Sequence, residues 1–390
     1  MAGLARTLGD QRRLGQLFVY MCHNLCQTGH LTEALTFGQN VQAIAESLPD
    51  VQLQVTGNLY LGAACMWTSD YRRAEDLLLR VLQLLEGDRS RDRFGLAGFP
   101  AVMARFYLDL VFADCGKFNE GIVNGQDGIR VAEALDHPYS LAGACWALAC
   151  LHITKGELGH AVRLLERGLT LSREWNLTYF SVLCSGSLGY VYALSRRIAE
   201  GIPLLEHALS AMESMGFGVV QTSCLAYLGE AYVLADRLED ALAIAARALT
   251  LAREHGQRGW EAWALRLLGE VAARRDQPEH AAGHYRDALA LTEELGMRPL
   301  VAHCHLGLSR LSRGARPRAP HHSNDDVPRD GHALLEGAGG GRNGCSAVRC
   351  AATRANNSTF DRTGNRQRET PRSHHDGQAY GQRRHRGGRP

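Results

Sequence analysis

Apolar residues recur at i, i+3, i+4 and i+7 through most of the first three hundred positions. VRLLERGLTLSREW (162–175) and ALAIAARALTLARE (241–254) are clear instances, and that spacing is the signature of amphipathic helices. No segment carries the apolar–polar alternation of a strand. Small residues punctuate the pattern on a fixed grid. Gly121, Ala161, Gly201, Ala241 and Ala281 are each 40 apart, as are Gly128, Gly168, Ala208, Ala248 and Ala288. Gly189, Gly229 and Gly269 repeat as well, each preceded by leucine and each twelve residues before its small partner. Ala34, Gly62 and Ala74 extend the grid towards the N-terminus. The step from Ala74 to Gly121 is 47, which places an insertion of seven in the charged stretch GDRSRDRFG (87–95).

Each unit reads as two helices. Asp136, Asn176, Gly216, Gly256 and Gly296 recur between units, where a helix C-terminus needs a residue tolerant of positive φ. Pro278 falls where a first helical turn accepts proline. Pro203 falls some five residues into its helix and predicts a local kink. One helix pair cannot bury its own apolar face, so stacked pairs must share a continuous core. Seven pairs are countable, with second helices around Ala34, Ala74, Gly121, Ala161, Gly201, Ala241 and Ala281. An eighth first helix, PLVAHCHLGLSRL (299–311), has no visible partner. The expected fold is an all-α right-handed superhelical solenoid over 1–312.

The Leu-Gly pair, a small residue twelve on and another seven on resemble the tetratricopeptide repeat signature. LGEAYVLADRLEDALAIAARAL (228–249), with Tyr232, shows it best. The period is 40 rather than 34, so the helices should be longer by about a turn and a half in total. The whole of 1–312 also resembles the C-terminal repeat region of large bacterial adenylate/guanylate cyclase–ATPase signalling proteins. DHPYSLAGACWALACL, WALRLLGEVAARRD and EELGMRPLVAHCHLGL carry that resemblance. It implies a parent architecture with cyclase and ATPase modules upstream, neither of which is in this chain. Similar repeats occur in effector-sensing arms of ATPase-linked transcription regulators, and that reading stays open.

Composition changes the picture near residue 312. The chain is 45% hydrophobic and carries a formal charge of +2, but the charge is split. Residues 1–312 are net −6; residues 313–390 hold 15 arginines, no lysine and 7 acids, a net of +8. Val327, Leu334, Leu335, Val348, Phe360 and Tyr380 are the large apolar residues of that tail, too few to offset the entropy of ordering it. Residues 313–390 are therefore expected to be a disordered Arg/Gly-rich tail. Back-translated and read one base later, 318–341 can spell an amphipathic closing helix, so the tail is read as out-of-frame translation. The competing reading is a basic arm for nucleic acid, ending in GQRRHRGGRP. An unpaired eighth helix would expose an apolar face and invite self-association.

Candidate chemistry is sparse. There is no GxxxxGK[ST] and no HExxH. Cys22 and Cys26 share a helix face, but no second pair sits at zinc-finger spacing. Cys184, Cys224 and Cys304 occupy one repeat column with Ala144 and Ala264, as small core residues would. The 11 cysteines are expected to be reduced thiols. His303, Cys304 and His305 diverge by about 100° per residue on a helix and cannot converge on one ion. No catalytic set, cofactor or metal site is expected. Trp67, Trp146, Trp175, Trp260 and Trp263 read as packing residues. No run of 18 apolar residues occurs and the first fifteen residues lack the apolar stretch of a signal peptide, so a cytoplasmic protein without membrane contact is expected.

What remains is a binding surface. In the resembled repeats, first helices line the concave face. Carried over by position, that face includes Leu59, Ala63, Trp67, Phe106, Trp146 and Cys150. Further along come Tyr190, Glu230, Trp263, Arg266 and Glu270. The groove would be apolar towards the N-terminus and charged towards the C-terminus, suiting a protein or peptide partner.

Overall fold

The structure, a computed structural model, describes residues 10–314. They form fifteen α-helices and no strand. The pairs are α1 (Gln11–Thr28) with α2 (Leu31–Ser47), α3 (Val51–Trp67) with α4 (Tyr71–Leu84), and α5 (Pro100–Cys115) with α6 (Phe118–Ala134). Next are α7 (Pro138–Lys155) with α8 (Leu158–Glu174), α9 (Thr178–Leu194) with α10 (Ile198–Met215), and α11 (Gly218–Leu234) with α12 (Leu238–His255). The seventh pair is α13 (Arg258–Arg274) with α14 (Pro278–Leu295), and α15 (Arg298–Gly314) follows without a partner among the described residues. The result is the right-handed helical solenoid that the 40-residue grid predicts. The seven-residue insertion lies between α4 and α5 and contains a short 3-10 turn, Gly87–Arg91. The expected tail falls outside the described residues, apart from its first two positions, which continue α15.

The turns follow the residues that make them. Asp136, Asn176, Gly216, Gly256 and Gly296 all have positive φ, as their column requires. The tighter turn inside each pair uses the same backbone state at Gly29, Ser69, Gly116, Gly156, Arg196, Asp236 and Asp276. Pro278 opens α14. Pro203 does not break its helix: α10 runs unbroken from Ile198 to Met215. Both Pro203 and Ala199, whose carbonyl loses its partner, are exposed, so water can satisfy that carbonyl.

The grid of small residues is where helices of a pair touch. A methyl at Gly189 would stand 2.7 Å from the Gly201 carbonyl oxygen, and one at Gly201 would run into the Gly189 carbonyl. At this crossing of α9 and α10, backbone meets backbone and both positions need glycine. The two layers differ in burial. Fourteen of the 17 residues of α3 are buried, against four of the 18 in α12. First helices sit between their own second helix and both neighbouring first helices; second helices press one stripe inwards.

The superhelix also closes on itself. Gly218, at the start of α11, packs on the Thr28 carbonyl at the end of α1, and the His255 ring lies against Gly29. Gly259 N–H, at the start of α13, donates to Ser69 Oγ at 2.8 Å. Arg298, at the start of α15, donates from Nε to the Cys115 carbonyl at 2.9 Å and from Nη2 to the Gly116 carbonyl at 3.2 Å. Each contact joins the turn of one pair to the pair five later. The cysteines behave as the repeat column implies: Cys22, Cys26, Cys65, Cys145, Cys150, Cys184, Cys224 and Cys304 are buried free thiols, and burial pushes the Cys184 thiol well up.

Candidate functional site

Closure leaves a cavity among the inner helices, open to solvent at its mouth. Its wall is a ring of consecutive first helices. Trp67 comes from α3, Asp114 from α5, Trp146 from α7, Ser187 from α9, Tyr227 from α11 and Trp263 from α13. The Ser69–Gly259 contact, with Tyr71 beside it, is part of the same wall and joins the two ends of the ring. Two or three residues per helix face inwards because successive pairs present the same repeat positions to the axis.

Aromatic side chains dominate that wall. Tyr227 and Trp260 meet edge-to-face at 5.8 Å, and Trp260 lies 6.0 Å from Trp263. Trp146 Nε1–H donates to Ser187 Oγ at 3.0 Å, which fixes the indole plane. Trp146 is also stacked on Phe106 at 5.4 Å, so the wall is braced from behind. Lys, Arg and His are missing from the lining, and Asp114 is its carboxylate. Tyr71 O–H donates to Asp114 Oδ2 at 2.9 Å. Burial outweighs that bond and pushes the Asp114 carboxyl up to about 7.

The expected concave residues divide into three sets. Trp67, Trp146 and Trp263 reach the cavity, as does Cys150. Leu59, 0% exposed, belongs to the core instead, and Phe106, 3% exposed, packs in the core and borders a second, smaller pocket with His23 and Tyr60. The superhelix is too tightly wound to leave them on an open groove, and Ala63, 1% exposed, shares their fate. Tyr190, Glu230, Arg266 and Glu270 form a third set that is occupied internally. Tyr190 O–H donates to Glu230 Oε2 at 2.6 Å, Glu230 pairs with Arg266, and the Arg266 guanidinium lies 4.8 Å over the Trp263 ring. Glu270 accepts from Tyr285 O–H at 3.0 Å. The charged end expected of the groove is therefore a self-neutralised ladder. Trp175 departs from the packing expectation too, being 60% exposed.

Sequence reading missed Asp114, Tyr71, Tyr227 and Trp260 as cavity residues. Tyr227 and Trp260 had a signal in the grid: they sit on first helices, each one turn from a position already singled out, Glu230 and Trp263. It also missed His152, Glu157 and His160, whose potential ligand atoms lie within 4.8 Å of one another at the α7–α8 turn. His152 Nδ1 is 2.7 Å from Glu157 Oε2, and Lys155 Nζ is 2.7 Å from Glu157 Oε1. The same column holds Tyr192, Arg197 and Glu200 one unit later, and Tyr232, Arg237 and Asp240 the next. The trio is thus the histidine version of a turn clip that recurs along the solenoid.

Comparison with known proteins agrees with this architecture. The tetratricopeptide repeat family matches residues 221–294. No curated protein matches the chain in sequence. Among solved structures, a Rap protein complexed with Competence and Sporulation Factor superposes with a TM-score of 0.56 at 14% identity. That match covers 75% of this chain and 79% of the other. NprR in complex with its cognate peptide NprX gives 0.52 at 14% identity, covering 78% and 85%. At that identity the likeness concerns the fold. Among the described residues, no helix is long and apolar enough to cross a membrane. The chain is thus similar in fold to tetratricopeptide-like helical-repeat proteins, with the family's own repeat recognisable over its sixth and seventh pairs.

Proposed function

We propose that the chain is a non-catalytic regulatory module that binds an effector in its axial cavity and presents its outer surface to a protein partner. The observation that carries this reading is the cavity itself. Six inner helices, from the second to the seventh pair, contribute to one wall, so a ligand there is placed to touch six pairs at once. A concave, mostly apolar lining with a few convergent polar groups is typical of ligand sites. Two proteins of similar fold were solved with a factor or a cognate peptide bound, which supports a peptide-sized effector.

The sequence stretches resembling bacterial cyclase–ATPase proteins support placing the module in, or deriving it from, such a signalling protein. The closed cavity favours the second reading, an effector-sensing arm of an ATPase-linked transcription regulator. Both share the same site. The basic tail, if translated in frame, would be the place for nucleic acid, and the unpaired α15 the place for self-association. On α15, Val301, Leu306, Leu308 and Leu311 are half-buried.

The test is a thermal-shift screen of the full chain against tetra- to hexapeptides and small metabolites. It is repeated on Ser223→Phe, which fills the cavity from α11. Stabilising ligands whose effect Ser223→Phe abolishes are the expected result. Stabilisation that is indifferent to Ser223→Phe, or nucleotide turnover by the purified chain, would overturn the proposal.

A further inference from the structure

We propose that the cavity recognises a cation on an apolar stem, as a lysine or arginine side chain of a peptide presents it, with Asp114 as its counter-charge and the tryptophans as its walls. The inference rests on reading the axial cavity as the binding site, and adds the chemistry of what enters.

Three observations carry it. First, the lining has one carboxylate and no basic side chain. A group entering the cavity meets a single charge, and it is negative. Second, Asp114 has no ion-pair partner among the described residues. The basic groups nearest in sequence or contact are engaged elsewhere. Lys117 pairs with Glu75 at 2.6 Å, and Arg298 donates to the Cys115 and Gly116 carbonyls. Of the other inner acids, Glu230 holds Arg266 and Asp109, away from the cavity, is held by Asn124. Asp114 thus stands as half of an ion pair, half-buried and held by Tyr71 O–H alone. Third, Trp67, Trp146, Trp260 and Trp263 line the same cavity, and aromatic faces attract cations, indole most strongly. Arg266 over Trp263 at 4.8 Å is an internal example of that contact. An apolar stem would lie on Leu110, Leu183 and Met212, which also line the cavity.

The groups facing Asp114 leave its own ionisation as the one that changes near neutrality. Tyr71 on α4, Tyr227 on α11, Cys150 on α7 and the adjacent Cys115 are all pushed up by burial and stay neutral. A cation in the cavity would favour the carboxylate, so affinity should fall as pH drops below about 7.

The experiment titrates the full chain by tryptophan fluorescence and calorimetry. N-acetyl-lysine methylamide and N-acetyl-arginine methylamide are the peptide-like cations. The n-hexylammonium ion is the free one, and N-acetyl-norleucine methylamide is the uncharged control. The expected result is saturable binding of the cations, weakened about tenfold or more by Asp114→Asn and by acidification, equivalent to about 1.4 kcal/mol. Norleucine binding should be insensitive to both. Tighter binding of the amino-acid probes assigns the cation to a peptide side chain, and tighter hexylammonium to a free amine; either sustains the inference. Equal affinity for lysine and norleucine probes, or no effect of Asp114→Asn, overturns it. If norleucine binds, is blocked by Ser223→Phe, and the cations do not bind, the cation inference falls while the cavity reading stands. If nothing binds in a manner sensitive to Ser223→Phe, both fall. Should Asp114→Asn fail to fold by circular dichroism, the pH profile of the unaltered chain decides the matter alone.

Discussion

The inner and outer helices of this solenoid are built from the same repeat, yet they obey different rules. An outer helix such as α12 buries Ala241, Ala245, Ala248 and Ala252 along one stripe and leaves the rest to water. An inner helix such as α3 is buried almost all round. Apolar residues on an inner helix therefore show little periodicity, whereas the outer helices are plainly amphipathic. Polar groups follow the same division. The outer layer carries ion pairs between exposed side chains, for example Arg167 with Glu133 at 2.5 Å and, two units on, Arg247 with Glu213. The inner layer carries a few polar groups, several of them held by a specific partner. Asp109, 1% exposed, accepts from Asn124 Nδ2 at 2.7 Å. Gln257, 0% exposed, donates to the Val219 carbonyl and accepts from Thr222. The inner layer fixes the fold and shapes the cavity; the outer layer meets solvent with charged side chains.

That contrast can be broken at its strongest point first. Phe180 on α9 is fully buried, in edge contact with Tyr139 at 4.9 Å. Phe180→Ala should cost about 3–5 kcal/mol in chemical denaturation. Trp175→Ala on the rim of α8, a larger truncation, should stay within about 0.5 kcal/mol. Similar losses for the two would end the distinction between layers.

The buried acid comes next. The folded Asp114 carboxyl titrates near 7 and an unfolded one near 3.9. The folded state therefore holds this proton more tightly. The resulting stability is complete below about pH 4 and is lost as pH rises through about 7. Asp109 is raised in the same direction. Burial holds His23 and His303 at about 4, a stabilisation that grows with pH in the acid part of this window. The acid is therefore read by difference: between pH 5 and pH 8 the unaltered chain should lose several degrees relative to Asp114→Asn. A difference that stays constant over this window would contradict the raised titration of Asp114.

A smaller effect sharpens the picture at the closure. Ser69→Ala deletes the hydroxyl that accepts from Gly259 N–H, for a loss of about 1 kcal/mol. Hydrogen exchange should accelerate at the starts of α11, α13 and α15 more than within α6 or α8. Uniform acceleration would mean that the closure does not act as a unit. The smallest effect belongs to the outer pairs. Arg167→Ala should change stability by less than about 0.5 kcal/mol, and less still in high salt.

Much of this was legible in the sequence because repeats report local geometry. The 40-residue grid located every helix pair, the turn residues at Asp136, Asn176 and Gly216, and the insertion around 87–95. Small residues at Gly189 and Gly201 marked a helix crossing because nothing larger fits there. The site was less legible, and for a physical reason. Which first-helix residues reach an open surface depends on how much each pair rotates relative to the last. That rotation leaves no mark in one unit and accumulates over five. Leu59 and Phe106 are thus core, although they share a repeat position with Trp146, which reaches the cavity. Glu230 and Arg266 looked like a charged rim because their pairing joins residues 36 apart on neighbouring helices. Asp114 gave no signal at all, since its importance comes from a cavity whose far wall is Trp260 and Trp263.

The contacts between each turn and the pair five later have a consequence for how such a chain can change over generations. In an open solenoid, duplicating or losing a unit lengthens or shortens the molecule and leaves every remaining interface intact. Here the count between Ser69 and Gly259 is locked, like the number of staves in a cooper's ring. One unit more or fewer between them would bring the wrong residues to that joint, and a change between Gly116 and Gly218 would spoil the fit at all three latches together. This stretch should therefore drift by substitution rather than by gain or loss of whole units, with any change in copy number confined to the ends.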